Sequence, residues 1–556
     1  MDPSRIPLEA IFAKYDWIST FTHPPDIASL LCTNDAPSPL QATQLKTSLE
    51  GLKGPLTELE SDLDLLHDAI ASLETQMLRL QSLKHDYETA LSPIRRIPLE
   101  ITIEIIRRSW KNSLSGFHVF RILEGPWYLG QVCSSWRNVI EKHCPELWAT
   151  MVVGSFSYEG KVAKKSDRVE MLRIVLERSR NHPLNFRFDY DLAVKEGEPD
   201  VMGKCLDIMV AHSKRWRAVE MTILPSLFPR LSLIHGKIDW LADMDLSCSG
   251  VPQSGDIGAF EVAPKLEKLH LSYLHPEASI RFPVTSLVSF SDVRAFAGDK
   301  LTPEYLNVVE LAPKLRSFSY NDHSDYSIHN QMTTPLSFPR VMSRSLIELS
   351  TSSPNFLRSM ELPSLKEFTL TTMCGADLGE KVIKCPARAL RALHEMLLRS
   401  QCSLTQLHLI DPVLDNNLAN IIRLVPSLQE LVIEFYEWVD GYDPIMQSLV
   451  TQLSEVSLVN GSFQHCMVPN LQKLGVNLLD LSHPRIYFIN SAFVDMVASR
   501  LHPPSDTQRL TKLQLWMEQG RHDLDEAAKN ALMSLRDDGL ELDLSSDKLD
   551  EDPMFE

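Results

Sequence analysis

The stretch that begins at His394 comes closest to a catalytic metal motif in this sequence. Zinc proteases carry a second histidine four residues after the first, so that both imidazoles face one metal ion from a single helix turn. Here His394 is followed by Glu395, as in that motif, but Leu398 occupies the second histidine position. The segment cannot present two imidazoles one turn apart. The sequence therefore predicts no metal site at this helix.

Other catalytic patterns are also missing from the sequence. It contains no Gly-x-Ser-x-Gly elbow, no Walker loop and no Gly-x-Gly-x-x-Gly turn. The nine cysteines are odd in number and never closer than eleven positions, which predicts neither a disulfide framework nor a zinc knuckle. Cys133, His143 and Cys144 lack zinc-ligand spacing as well. We predict buried free thiols, no catalytic residue, no cofactor and no enzymatic activity.

Composition and charge narrow the classes of partner. The chain has 556 residues, 44% hydrophobic and 23% charged, which is ordinary for globular material and long enough for several domains or one repeat array. Its 55 basic residues face 73 acidic ones, giving a formal net charge of -18. Such a chain repels a phosphate backbone. Nucleic acid is therefore not an expected partner.

Targeting signals are not evident. Asp2 and Pro3 stand where a signal peptide needs positive charge before an apolar run. No stretch of about 18 apolar residues occurs, so no membrane span is predicted. We expect a cytosolic or nuclear protein.

A regular apolar repeat follows an irregular start. Residues 1–38 hold five prolines and no sustained periodicity, which predicts a tail with one short helix near Leu8 to Trp17. After Pro39, apolar residues are spaced alternately by four and three positions, the a/d seam of a heptad helix. The seam residues are Leu45, Leu49, Leu52, Leu56, Leu59, Leu63, Leu66, Ile70, Leu73, Met77, Leu80, Tyr87 and Leu91.

Two interpretations of this helix stay open. Gly51, Gly54 and Pro55 interrupt the early seam, so the best helix runs from Pro55 in its first turn to Leu91, about 54 Å at 1.5 Å per residue. Such a helix cannot bury its seam alone. Either a homodimer forms through 55–91, or the helix folds back on its own chain; further leucines that widen the stripe favour folding back. These are Leu65, Leu78 and Leu83.

Two short apolar helices are predicted directly after the heptads. Residues 92–110, SPIRRIPLEITIEIIRRSW, contain a helix with Pro98 in its first turn and isoleucines on one face. Residues 126–148, PWYLGQVCSSWRNVIEKHCPELW, contain a second helix with Leu129, Val132, Cys133, Trp136 and Val139 at helical spacing. A unit this small needs neighbours to be stable.

These two segments resemble the F-box family. The first is similar to its Leu-Pro-x-Glu-Ile-x-x-x-Ile-(Leu/Phe) signature, with Ile97 in place of the leucine, and the second to its Val-Cys-x-x-Trp-Arg signature. An insertion from Lys111 to Gly125 departs from the family pattern. With the preceding heptad helix, the arrangement also resembles a group of basidiomycete F-box proteins.

The resemblance implies a docking function. An F-box binds the Skp-type adaptor of an SCF ubiquitin ligase through apolar helix faces, while the rest of the chain recruits the protein to be ubiquitinated. The positions carried over as adaptor-binding are Pro98, Ile101, Ile105, Ile106, Val132 and Trp136.

The C-terminal region carries an irregular leucine-rich repeat. Its unit is Leu-x-x-Leu-x-Leu or a close apolar variant, the strand element of such repeats. Ten copies begin at Trp148, Trp216, Leu241, Leu266, Leu315, Leu365, Leu404, Leu428, Leu471 and Leu510. Helices are predicted between them at 166–180, 201–217, 387–399 and 491–500. This pattern predicts an α/β solenoid with parallel strands, whose concave face presents polar residues suited to protein recognition.

The predicted organisation assigns one role to each region. It comprises an irregular tail (1–38), a heptad helix (39–92), an F-box (93–150), a substrate-recognition repeat domain (151–545) and an acidic tail (546–556). The leading hypothesis is a substrate-recruiting subunit of an SCF ligase. The alternative is a protein-interaction scaffold that oligomerises through the heptad helix and works without a ligase.

Overall fold

The computed structural model divides the chain into two compact units, Met1–Ile101 and Thr102–Glu556. It describes residues 8–110, 116–154, 168–190, 200–248, 255–275, 278–294, 301–322, 338–371, 385–439, 441–459, 462–478, 486–503, 508–516 and 526–544. The predicted acidic tail at 546–556 and part of the predicted insertion, 111–115, lie outside the described residues.

The first unit contains more helix than its sequence predicted. Its helices are α1 (Leu8–Thr20), α2 (Pro25–Leu31) and α3 (Pro39–Leu91). The prediction of a short helix beginning at Leu8 is confirmed. The prediction of an otherwise irregular tail is wrong, because the paired prolines at 24 and 25 start a second helix, a position where proline needs no N–H donor.

Helix α3 is 53 residues long, about 80 Å. It begins with a capping box, in which the Ser38 hydroxyl accepts from the Gln41 amide and the Gln41 side chain accepts from the Ser38 amide. The predicted start at Pro55 is wrong, since the helix passes through that residue. An internal proline removes one backbone hydrogen bond, and the strong cap holds the turns before it.

Helix α1 packs against α3 at Asp62. Lys14 Nζ and the Tyr15 hydroxyl donate to Asp62 Oδ2 over 3.0 and 2.9 Å. These two hydrogen bonds lower the pKa of Asp62. Leu59 and Leu66, three residues before and four after it on the same helix face, are half-buried. The chain therefore folds back on this length of the seam.

The rest of the seam stays exposed. Six of its side chains beyond Leu66 are each more than half accessible: Ile70, Leu73, Met77, Leu80, Tyr87 and Leu91. The flanking Leu65 and Leu78 are exposed to a similar degree. Leu49, Leu52, Leu56 and Leu63 are exposed as well. Folding back thus covers the stripe only around Asp62, and the longest uncovered part spans about 20 residues.

The second unit is built on one large parallel sheet. Within the described residues it has fifteen strands, and each lies beside the next sheet strand along the chain. They are β1 (Phe117–His118), β2 (Thr150–Gly154), β3 (Leu184–Asp189), β4 (Trp216–Ile223), β5 (Asp243–Cys248), β6 (Lys268–Leu274), β7 (Ser289–Arg294), β8 (Ser317–Asp322), β10 (Glu348–Thr351), β12 (Glu367–Leu370), β13 (Gln406–Ile410), β14 (Glu430–Phe435), β17 (Lys473–Leu478), β18 (Lys512–Trp516) and β19 (Glu541–Asp543). Stacked parallel strands with intervening helices make this an α/β solenoid-like repeat, as predicted.

The described residues also form two small sheets of two strands each. Val341–Met342 (β9) pairs in parallel with Met360–Glu361 (β11). Val456–Val459 (β15) and Ser462–His465 (β16) form an antiparallel hairpin.

All ten predicted repeat units contribute a strand to the sheet. The three apolar residues of each unit are at most 4% exposed, and equivalent leucines are neighbours across the strands, as with Leu407, Leu431 and Leu474. Five strands of the sheet lie outside the ten units: β1, β3, β7, β10 and β19. Strand β3 has Phe186 and Phe188 at the two strand positions. Its unit does not match the template because Pro183 stands where the ten units begin with Leu or Trp.

Helices lie between the strands as expected. Those of the second unit are α5 (Gly125–Leu129), α6 (Ser134–His143), α7 (Arg168–Arg178), α8 (Val201–Ala211), α9 (Phe228–Leu231), α10 (Thr302–Leu311), α11 (Pro354–Ser359), α12 (Ala389–Ser400), α13 (Asn417–Leu424), α14 (Tyr442–Ser454), α15 (Ser491–Leu501) and α16 (Glu526–Asp537). The four predicted helices correspond to α7, α8, α12 and α15. The second was predicted too long, because Trp216 already begins β4.

Helix α4 (Leu99–Trp110) leads into the second unit. One continuous apolar core extends from Ile106 to Leu540 and includes the buried residues of α6 and of the 3-10 turn Pro145–Trp148. Residues 102–150 therefore pack as the first layer of the repeat unit. The predicted boundary at 150 does not separate compact units, because Phe117 of β1 already pairs with Met151 of β2.

Candidate protein-interaction surfaces

The predicted contact residues on helix α4 differ in their exposure. Ile105 is 39% exposed, whereas Ile106 is 0% exposed and belongs to the core. The prediction that Ile106 contacts an adaptor is corrected accordingly: its side chain anchors α4 to the sheet. Pro98 and Ile101, which belong to the first unit, are both exposed.

The second predicted helix is divided in two by a turn. Helix α5 ends at Leu129, and α6 begins at Ser134 with Cys133 as its cap, where the Cys133 sulfur accepts from the Trp136 amide at 3.4 Å. Arg137 Nε donates to the Gly130 carbonyl at 2.9 Å and so ties α6 to the end of α5. The Val-Cys-x-x-Trp-Arg pattern therefore specifies the turn between two helices.

The turn leaves Val132 on the outside. Val132 is 53% exposed, while Trp136, one turn later, is half-buried and packs on the core. Three further apolar residues near α5 are also exposed. We call the set of exposed apolar residues in this part of the second unit the docking surface: Ile105, Ile122, Leu123, Tyr128 and Val132. Sequence reasoning missed Ile122 and Leu123, which lie in the insertion, and Tyr128.

Aromatic and charged residues make the support of the docking surface rigid. The Trp127 and Trp148 rings meet edge to face at 4.9 Å, and the Arg178 guanidinium lies 4.7 Å from the Trp148 ring centre. Arg178 also pairs with Glu141 at 2.6 Å. A cavity of about 270 Å³ opens between α5 and α6 over these side chains. A partner would therefore meet a preformed surface, which limits the ordering cost of binding.

The insertion contributes the first strand of the sheet. Gly116, at a φ of +80°, turns the chain into β1, where an added Cβ would come within 2.9 Å of the Thr150 backbone. His118 in β1 is buried, and its Nδ1 accepts from the Phe120 amide at 3.3 Å. Burial and the nearby Arg121 lower the pKa of His118 to about 4.

We predict that acid destabilises this end of the sheet through His118. Because the folded state disfavours the imidazolium, the unfolded chain binds more protons below pH 6.5, and stability falls as the pH drops from about 6.5 to 4. The expected loss is about 3 kcal/mol. Urea denaturation at several pH values measures it. His118→Leu should flatten the slope in this window; an unchanged slope would show that other groups cause it.

The outward-pointing strand residues form a second surface, which we call the open face of the sheet. Strands β3 to β6 place four residues opposite one another in register, so that they form a row across the sheet: Arg187, Glu220, Asp245 and His270. Arg187 bonds Glu220 at 3.3 Å, and burial raises the pKa of both Glu220 and Asp245. The row continues with the hydroxyl side chains Ser291, Ser319, Ser350 and Thr369.

Other polar residues of these strands differ in their exposure. Lys268 is exposed, and Glu367, Gln406 and Glu430 are half-buried. Gly475 is buried, because the Val432 side chain covers it. Such a surface of mixed polar groups resembles the rim of protein interfaces more than a catalytic cleft.

Residues singled out for chemistry lie apart from one another. Among the residues that the structure describes, no three His, Cys, Asp or Glu side chains are grouped to hold a metal ion. The prediction of buried cysteines is confirmed for Cys144, Cys205, Cys248 and Cys385 and is wrong for three exposed ones: Cys32, Cys133 and Cys466. Cys374 lies outside the described residues. In the described part of the chain, no helix has both the length and the apolar character to cross a bilayer.

Comparison with known proteins gives little further information. No protein-family model matches the chain. No curated protein matches it either. A crystal structure of a Bacteroides fragilis protein matches 72% of this chain and 77% of its own, at 10% sequence identity and a TM-score of 0.22. A superposition at that TM-score is too poor to transfer a function.

Proposed function

We propose that this protein is a substrate-recruiting F-box subunit of an SCF-type ubiquitin ligase. The docking surface binds the Skp-type adaptor, and the open face of the sheet holds a protein substrate. Ubiquitin transfer is then supplied by other subunits, through proximity. The proposal includes a cytosolic or nuclear location and no catalytic role for the chain itself.

The observation that carries the proposal is the exposure of Ile105 and Val132. Both belong to the two motif segments, and both remain accessible although α4, α5 and α6 pack into the core. Exposed apolar residues also occur elsewhere on the second unit, so the support for the proposal is that these two lie within the motif segments. Pro98, Ile101 and Trp136 remain predicted adaptor contacts.

The open face supports the substrate role. It continues over many strands, and its polar residues change from charged to hydroxyl-bearing along one row. A surface of this length can hold an extended partner at several points. The substrate is expected to be a protein because protein interfaces combine such mixed polar groups with few deep cavities.

We expect the double variant Ile105→Asp with Val132→Asp to lose adaptor binding. Two carboxylates placed on an apolar face that becomes desolvated cost several kcal/mol, which corresponds to at least about 100-fold weaker binding. Purified adaptor and full chain, measured by titration calorimetry, give the two affinities. Circular dichroism shows whether the variant is folded.

A matched control uses exposed leucines elsewhere in the same unit. Leu311 and Leu398 are as exposed as Val132 but lie on α10 and α12. The variant Leu311→Asp with Leu398→Asp should bind the adaptor like the wild type. Full binding by the folded docking-surface variant would reject the assigned face. A wild type that binds no adaptor would favour the ligase-independent scaffold.

A further inference from the structure

We infer that a second copy of this chain covers the exposed part of the α3 seam, in an antiparallel pairing over residues 66–91. This interaction surface lies in the first unit and is separate from the docking surface and the open face. A dimer formed in this way carries two copies of each.

The dimensions of the exposed stripe identify its occupant. It runs along about 39 Å of helix, since 26 residues rise 1.5 Å each. Apart from α3, the described helices have at most 13 residues, about 20 Å. A seam with strict heptad spacing packs knobs into holes with a helix of the same spacing. Helix α3 of a second copy has both the length and the spacing.

Helix α1 determines which part of the seam is available. It approaches α3 at Asp62, and the seam residues Leu59 and Leu66 are half-buried beside that contact. Leu49, Leu52, Leu56 and Leu63 are exposed before or beside this contact, so α1 interrupts the exposed seam. Its longer uninterrupted part runs from Ile70 to the end of α3 at Leu91. An antiparallel pairing of this available part with itself places Leu66 of one copy opposite Leu91 of the second copy. Ile70 then lies opposite Tyr87, and Met77 opposite Leu80.

The polar seam residue Lys84 decides the orientation. A parallel in-register pair would place Lys84 against Lys84 of the second copy within the seam, so two like charges would meet. In the antiparallel pair Lys84 lies opposite Leu73 of the second copy, and Glu74 of that copy is the next residue, on the flank of the seam. Within one chain, Lys84 has a loose exposed contact to Glu88, at 3.7 Å. The antiparallel pair provides two Lys84 to Glu74 contacts by symmetry.

Light scattering of the full-length chain tests the pairing. We expect twice the chain mass at micromolar concentration, and the mass of one chain for the triple variant Leu73→Glu, Met77→Glu, Leu80→Glu. The control Thr75→Glu with Ser82→Glu adds charge on the opposite helix face and should remain dimeric. A wild type of single-chain mass, or a triple variant that stays dimeric, would overturn the inference.

Exchange of charges tests the orientation. Lys84→Glu should weaken the dimer about tenfold in sedimentation equilibrium, because it brings two acidic side chains together. Adding Glu74→Lys should restore the wild-type affinity, since the attractive pair is rebuilt in the reverse sense. A parallel dimer would not be rescued by the second change, so failure of the rescue would refute the antiparallel pairing.

Discussion

Replacement of Arg294 by methionine is expected to lower the free energy of unfolding of the second unit by about 3–5 kcal/mol. Arg294 and Asp292 are 2% and 0% exposed at the end of β7. Arg294 Nε bonds both Asp292 oxygens at 3.1 and 2.9 Å, and its Nη1 donates to the carbonyls of His275 and Ala278. The Tyr305 hydroxyl also donates to Asp292. Methionine keeps the bulk and leaves a buried carboxylate without its cation.

The pH dependence of this variant follows from the same pair. Burial already raises the pKa of Asp292 in the presence of Arg294, and removal of the cation raises it further. A carboxyl with a raised folded pKa favours the folded state below its unfolded pKa of 3.8, and this contribution is lost as pH rises through the folded pKa. The deficit of Arg294→Met relative to the wild type should therefore grow from about pH 4 upward.

Denaturation by urea at several pH values measures both effects. Arg281→Met, which removes an exposed arginine with two ion pairs, is the control and should cost at most about 1 kcal/mol. In the double variant Arg294→Met with Asp292→Leu the uncompensated charge is gone, so stability should partly recover. A double variant as unstable as the single one would show that the lost carbonyl contacts cause the effect.

Replacement of Phe318 by alanine is expected to cost about 3–5 kcal/mol. Phe318 on β8 is almost fully buried within a column of aromatic rings, stacked on Phe290 at 5.4 Å and on Phe356 at 5.2 Å, with Tyr305 at its edge at 6.0 Å. Truncation removes the transferred apolar area and opens a cavity between strands that cannot move independently.

Truncation of an exposed phenylalanine is the control, because it removes the same ring without removing buried contacts. Phe463 on the β15–β16 hairpin is 59% exposed, and Phe463→Ala should change stability by less than about 0.5 kcal/mol. The midpoint of urea denaturation, followed by near-ultraviolet circular dichroism, compares both variants with the wild type. A loss below about 1.5 kcal/mol for Phe318→Ala would show that the column relaxes to fill the space.

Local patterns in the sequence were sufficient to predict most strands of the repeat. Because side chains alternate along a strand and one face of this sheet is open, each strand buries every second residue. The triplets at Leu404 and Leu428 could therefore be identified one at a time. The heptad spacing of α3 was equally readable. The early break predicted at Pro55 is wrong, since α3 continues through that residue.

The missed strands show where the pattern stops being informative. Strand β7 buries Asp292 and Arg294, residue types that a leucine template rejects. They are tolerated because each neutralises the other and Tyr305, thirteen residues away, completes the bonding of the carboxylate. The sequence of β7 alone does not reveal that Tyr305 is this partner.

The docking surface likewise combines features that the sequence predicted with features that only the tertiary structure determined. Helical spacing determined that Ile105 and Ile106 belong to a broad apolar stripe of α4, and the sequence also determined the order of the two motif segments. Which isoleucine stays exposed was decided by the tertiary packing, in which Ile106 joins the core and Ile105 does not. Likewise, heptads determined the seam of α3, but the contact of α1 at Asp62 decided that Leu59 and Leu66 are half-buried while the seam from Ile70 onward is exposed. Periodicity specifies a face of a helix, whereas burial of that face depends on what packs against it.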